Sequence, residues 1–151
     1  MKKIERIPLI HLMPFSEIDE RRSVLLVTSV PAWNTVKANL HLNIAAQEEP
    51  WLATTQHWDE LLPPLPVQVE VIYAVGGGLV ADAGKHLAAR LKLPLVVLPT
   101  ALSVDAFFTA ATGICQGGCV RYIDAHPPDM VVIDFNILTA APACLRACKI
   151  L

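Results

Sequence analysis

The chain carries little charge for its 151 residues: Asp, Glu, Lys and Arg make up 17% and the formal net charge is −2. Nothing in that balance makes the basic stripe a polyanion needs, so no nucleic-acid partner is expected. Long apolar runs are missing as well. Val71 to Ala81 ends at Asp82 and Leu93 to Val104 ends at Asp105, both short of the roughly 18 residues of a membrane span. The amino terminus, MKKIERIPLIHLMPF, begins like a signal peptide. Glu5, Arg6, Pro8 and His11 break its apolar stretch and no small-residue cleavage site follows, so a leader is not expected and a cytoplasmic location is. There are no internal repeats and no low-complexity linker, and one domain over residues 1–151 is expected.

Cysteine is scarce, with four, at 115, 119, 144 and 148. The double C-x3-C pattern invites zinc, although structural zinc sites more often use two intervening residues. A spacing of four puts Cys144 and Cys148 on one helix face. Free, mostly buried thiols in a reducing compartment are the plainer reading. Zinc or a disulfide is the alternative.

Hydrophobic residues are abundant at 54%, and their grouping indicates elements. Ser23 to Val30, VQVEVIYAV, LPLVVLPT and DMVVIDFNIL read as strands. LVADAGKHLAARLK reads as a helix with Leu79, Ala83, Leu87 and Leu91 on its buried face, and Asp82, Lys85, Arg90 and Lys92 largely elsewhere. Val36, Leu40 and Ile44 suggest a helix within residues 34–47. Trp51 to Thr54 suggests a short strand before a short helix that Pro63 and Pro64 end. A last helix begins in LTAAPACLRACKIL. Strands alternating with helices predict an α/β fold, a Rossmann-like parallel sheet flanked by helices.

Gly76, Gly77 and Gly78 fall where a strand ending at Val75 meets a helix starting at Leu79. In such a sheet ligands bind beyond the carboxyl ends of the strands. Glycine admits positive φ and close approach, and a helix amino terminus offers unpaired N–H groups and a positive dipole end. The combination suits a phosphate; a tight turn without ligand is the competing explanation. The pattern is neither G-x-G-x-x-G nor a P-loop. At the next strand end, Thr100, Ser103, Asp105 and Thr109 form a polar cluster in LPTALSVDAFFT. Its hydroxyls suit phosphate or ribose oxygens and its carboxylate suits a polyol. The alternative for Ser103 and Asp105 is helix capping.

Taken in order, GGGLVADAGK, LPTALSVDAF and PPDMVVIDFNILTAAPACLRA resemble the glycerol-1-phosphate dehydrogenase branch of the iron-containing alcohol dehydrogenase and dehydroquinate synthase superfamily. The resemblance runs from about Ser23 to Ala147 and is strongest from Val71 on. It implies NAD(P) binding, with Gly76, Gly77 and Gly78 at the pyrophosphate and Asp82 behind them. Thr100 and Ser103 would stand on the nicotinamide side, and Asp105 would meet substrate. Thr109 would take a cofactor-contacting position that is usually serine. Many relatives place an acid on the adenine ribose just after the first strand. Here that strand runs into TSVPAW, which leaves NAD and NADP equally open. The family's metal-binding aspartate would follow the helix matched by APACLRA, and its two histidines belong to a C-terminal helical domain. This sequence reads CKIL and ends, so no metal ligand and no catalytic residue is assigned. The expectation is the cofactor-binding half of a polyol-phosphate dehydrogenase, inactive alone and self-associating as a homo-oligomer. The missing helical catalytic domain is a candidate partner. A stand-alone nucleotide-binding or interaction module and a dehydroquinate synthase-like relative are the alternatives.

Overall fold

Three short runs are apolar on both sides, and a segment with no polar face is stable only when covered on both faces. VLLVT, VIYAVG and LVVLP become strands β2 (Val24–Thr28), β4 (Val71–Gly76) and β5 (Leu95–Pro99), with every residue buried. They form the centre of a six-stranded sheet in the computed structural model, which describes residues 6–64 and 68–146. The other strands are β1 (Leu9–Leu12), β3 (Ile44–Glu48) and β8 (Met130–Ile133). The order is β1-β8-β5-β4-β2-β3, and every neighbouring pair is parallel. The expected α/β, Rossmann-like architecture is therefore present.

Because side chains alternate along a strand, the central strands feed two cores. Leu25, Val27, Ile72, Ala74, Leu95 and Val97 meet Trp58 of α2 (Thr55–Glu60) and Leu87 of α3 (Gly78–Leu91) on one face. Val24, Leu26, Val71, Tyr73, Val75 and Leu98 meet Phe15, Leu40 and Val36 of α1 (Val30–Val36) on the other. Each large aliphatic side chain so buried contributes about 1.5–3 kcal/mol. Gly84 sets how closely α3 lies on β4: a Cβ there would stand 2.8 Å from the Cβ of Ala74.

Several elements differ from the sequence expectation. The stripe that α3 buries holds Val80, Ala81, Ala83, Gly84, Leu87 and Ala88, and it also includes Lys85, which was expected away from the core. The helix expected within residues 34–47 is instead α1, which starts earlier with Pro31 in its first turn, followed by the edge strand β3. Ile44 shares its four-residue spacing with Leu40 but pairs with Val24 across the sheet. Trp51 to Thr54 is not a strand, because Thr54 accepts a hydrogen bond from the His57 N–H and caps α2. The strand expected to run on to Leu138 stops at Ile133. Asp134 turns the chain there, accepting from Asn136 N–H and from Phe15 N–H, both at 2.9 Å, and starts α4 (Phe135–Ala140). A short α5 (Ala143–Arg146) follows.

Strand β1 and the antiparallel ribbon of β6 (Ala111–Gln116) and β7 (Cys119–Asp124) were not anticipated. The ribbon overturns the reading of buried thiols. Cys115 and Cys119 are exposed on it because no layer covers that part, and Cys144 is exposed on α5. Cys115 pairs with Val120 and Cys119 with Gln116, so the two thiols point to opposite faces of the ribbon. Cys148 lies outside the described residues. Among the described residues, no group of three or more His, Cys, Asp or Glu is placed to hold a metal, and no helix is long and apolar enough to cross a membrane.

Candidate functional site

From β2 the chain moves outward to β3 and then returns to β4 on the opposite side of β2. Connections leaving adjacent strands in opposite directions open a crevice at their carboxyl ends. Thr28 ties the strands just below that opening, its hydroxyl donating to the Val75 carbonyl at 2.7 Å. Above lies a groove of about 440 Å³. Ser29, Pro31 and Ala32 line it from the β2–α1 turn, Gly77 and Gly78 from the β4–α3 turn, and Thr100 and Ser103 from the segment after β5. Ile137 and Ala141 close it from α4 and the turn beyond.

The three glycines do different things. Gly76 has φ +154°, which L side chains rarely adopt, and a Cβ there would approach Val80 Cγ2 to 3.0 Å. Its carbonyl accepts from Thr100 N–H at 3.1 Å and so fixes how the chain leaves β5. Gly78 faces Val104, whose Cγ2 would stand 2.8 Å from an added Cβ. Gly77, the N-cap of α3, has extended backbone at φ −94° and ψ −166°. A Cβ there would meet nothing within 4 Å. No side chain caps α3, so its first-turn N–H groups remain available to a ligand.

The structure thus brings Gly77, Gly78, Thr100 and Ser103 into one groove, with Gly76 directly behind. It does not bring Asp82, Asp105 or Thr109 to that lining. Asp105 is exposed on the segment between β5 and β6. This segment forms bends and turns without a helix, so the alternative of Ser103 and Asp105 as helix caps does not hold. The Thr109 hydroxyl donates to the Ala111 carbonyl at 3.4 Å. Asp82 turns toward the ribbon, with one oxygen 2.9 Å from Lys85 Nζ and the other accepting from Gly113 N–H at 3.1 Å.

Two groups outside the groove's lining were not among the expected site residues. Lys85 is one. The other is Glu49, just past β3, whose carboxylate accepts from the Val30 N–H at 2.9 Å where α1 begins. It follows residues 34–47, which were read as a helix and end instead in the strand β3.

A parallel sheet with its groove at the switch point defines a doubly wound α/β domain of the kind that takes ligands at the carboxyl edge. Comparison with known proteins narrows this. A family profile described as iron-containing alcohol dehydrogenase matches residues 10–142, and the chain belongs to that family. It is 38% identical over 79 residues to a glycerol-1-phosphate dehydrogenase [NAD(P)+] of Methanosphaerula palustris, an alignment covering 52% of this chain and 22% of the relative. A glycerol dehydrogenase of Thermotoga maritima is 37% identical over 79 residues, covering 50% of this chain and 22% of the relative. The crystal structure of a glycerol dehydrogenase from Schizosaccharomyces pombe superposes with a TM-score of 0.78 at 21% identity, over 95% of this chain and 41% of that one. This last likeness speaks to fold alone. The match thus spans about a fifth of the length of these curated relatives and under half of the solved chain.

Proposed function

We propose that this chain is the NAD(P)-binding half of a metal-dependent polyol dehydrogenase of the glycerol-phosphate type, and that the 151 residues alone bind cofactor without turnover. The observation that carries the reading is the open space at Gly77. Neither backbone angle nor packing explains a glycine there, whereas the approach of a pyrophosphate to the backbone does. Gly77 and Gly78 would admit the pyrophosphate, which the α3 N–H groups would bind. Thr100 and Ser103 would face the nicotinamide half, and Thr109 would support that side from behind. Asp105, exposed and carboxylate-bearing, would accept hydroxyls of the polyol.

The cofactor, when bound, supplies the hydride chemistry. The chain's own residues bind and orient it. As the family likeness implies, the metal-bearing half would be a helical domain outside these 151 residues, in the same polypeptide or in a separate partner. Glu49, next to the groove-lining Pro50, would be the carboxylate that receives ribose hydroxyls and repels a 2′-phosphate. NADH is therefore expected to bind more tightly than NADPH. Calorimetric titration with each cofactor tests the reading, and an absence of binding at millimolar cofactor would overturn it. The same preparation tests self-association. Trp51, Phe135 and Leu145 are exposed at 72%, 61% and 45%, Leu145 within the groove's lining, and exposed apolar surface of this kind marks association sites. Sedimentation at rising concentration should show mass beyond the monomer.

A further inference from the structure

Lys85 has a side chain with 0% exposure, which is unusual for lysine. Four oxygens surround its ammonium. Nζ lies 2.9 Å from the Ala106 carbonyl and 3.4 Å from that of Thr109, is also bonded to the Ala111 carbonyl, and lies 2.9 Å from an Asp82 carboxylate oxygen. An ammonium has three N–H groups and no acceptor, so carbonyls converging on it are held to it. Lys85 and Asp82 are three apart on α3 and share a face.

Two of the three carbonyls, those of Ala106 and Thr109, belong to the connection between β5 and β6, and the third, that of Ala111, opens β6. From 101 to 110 that connection has no helix or strand, so no ladder supplies its hydrogen bonds. It nevertheless carries Ser103, Asp105 and Thr109. Its Phe107 side chain is buried, as is that of Thr112 just beyond it. Val104 rests on Gly78 at the first turn of the same helix. Two turns further along, Lys85 gathers the other end of the segment, and Asp82 holds the ribbon through Gly113. A whole buried ion pair such as Lys85–Asp82 is often replaceable by apolar side chains of similar volume without loss of stability, whereas removing one partner alone is destabilising. Stability alone is therefore a weak reason for a lysine here, and the shape it imposes on the segment is a better one.

We infer that Lys85 is a positioning residue: its buried ammonium fixes the β5–β6 connection onto α3 and so places Ser103, Asp105 and Thr109 relative to the glycine turn. The inference rests on the cofactor-binding reading above for its consequence, and on the carbonyl cluster for its geometry.

The test is Lys85→Met in the full 151-residue chain, which keeps length and removes the donors. Amide hydrogen exchange is read by segment, and NADH is titrated at a temperature well below the melting point. Exchange across residues 101–113 is expected to quicken at least about tenfold while β2, β4 and β5 keep their protection. NADH affinity should fall at least about tenfold. Unchanged exchange in the segment would overturn the inference. Loosening spread across the whole sheet would also overturn it, since that marks an ordinary core residue. So would quickened exchange with unchanged affinity. If Lys85→Met does not fold, Lys85→Gln, which retains two donors, is read by the same criteria with smaller changes. If the wild-type chain binds no NADH, the cofactor reading fails, and the exchange arm still decides the clamp.

Discussion

Two glycine clusters mark two turns in this molecule, and they use the residue for different ends. Gly117 and Gly118 join β6 to β7 with φ +60° and +76°, and a Cβ on either would meet nothing within 4 Å. Left-handed angles at both positions match the twist of a two-residue hairpin, so conformation alone accounts for them. At the β4–α3 turn the reasons separate. Gly76 is there for its angle and its contact with Val80, Gly78 for its contact with Val104, and Gly77 for neither. A glycine that the folded chain does not need is the one best explained by something that approaches from outside.

The comparison breaks most severely at Gly76. Valine there would adopt a backbone angle that L residues rarely take and press on Val80. Strain of about 1–3 kcal/mol for the backbone and a similar amount for overpacking should lower stability by about 3–4 kcal/mol. Thermal or urea unfolding measures it. A variant as stable as the wild type would mean that the turn is not built as described.

Gly77→Val should show the opposite signature. Its extended backbone suits any residue and its surroundings are open, so the loss of stability should stay within about 1 kcal/mol, the cost of an aliphatic side chain at a helix N-cap. NADH affinity should fall by more than about tenfold, because the added side chain fills the approach of the pyrophosphate. Calorimetry and melting on the one variant measure both halves. Affinity retained with valine in place would remove the functional distinction between the two turns.

This separation was only half legible in the sequence. The central strands were, because runs such as VLLVT and VIYAVG have no polar side to expose and leave no other arrangement. The glycine turn was as well, because a break between such a strand and an amphipathic run has few other meanings. Which glycine serves angle, packing or ligand depends on Val80 and Val104, and no local pattern reports those contacts. The ribbon was missed although QGGC marks its turn. Its flanks mix Thr, Cys, Arg and Gly, and without a buried face the alternation is weak. Lys85 was placed outside because a lysine on an amphipathic helix usually is. The carbonyls that receive it come from a segment 21 to 26 residues away. Glu49 was hidden behind a strand read as a helix.

The hairpin turn is the milder test. Gly118→Ala forces a left-handed angle on a residue with a Cβ, at a cost of about 1–2 kcal/mol. The ribbon is hydrogen-bonded to the rest of the chain through Asp82, Lys85 and the bond from Cys115 N–H to the Ala53 carbonyl, and Ile114 of β6 packs against the core. Exchange should therefore quicken in β6 and β7 and little elsewhere. NADH affinity should change less than it does in Gly77→Val. Equal losses of affinity in the two variants would show that the ribbon, and not the groove, governs binding.

The smallest effect lies at the other end of the same strands. Glu20, just before β2, has a side chain with 7% exposure and is held by Arg22 at 2.7 Å. It also accepts from the Tyr73 hydroxyl at 2.9 Å. The hydrogen bonds from Arg22 lower its carboxyl from 4.5 to about 2, against the upward pull of burial. Burial and the bond to Glu20 push the Tyr73 phenol up. A carboxyl whose folded value lies below its unfolded value stabilises the fold at pH above about 4.5, and that stabilisation fades as pH falls toward about 2. Arg22 is 46% exposed, so solvent screening should leave about 1 kcal/mol of the effect. Glu20→Gln should therefore flatten the dependence of stability on pH between about 5 and 3, with NADH affinity at neutral pH unchanged. The two ends of β2 and β4 would then be separable by measurement, with ionic stabilisation at the amino end and ligand approach at the carboxyl end. An acid slope that survives in Glu20→Gln would assign it to other carboxylates. Altered NADH affinity in that variant would show that the two ends are coupled through the strands they share.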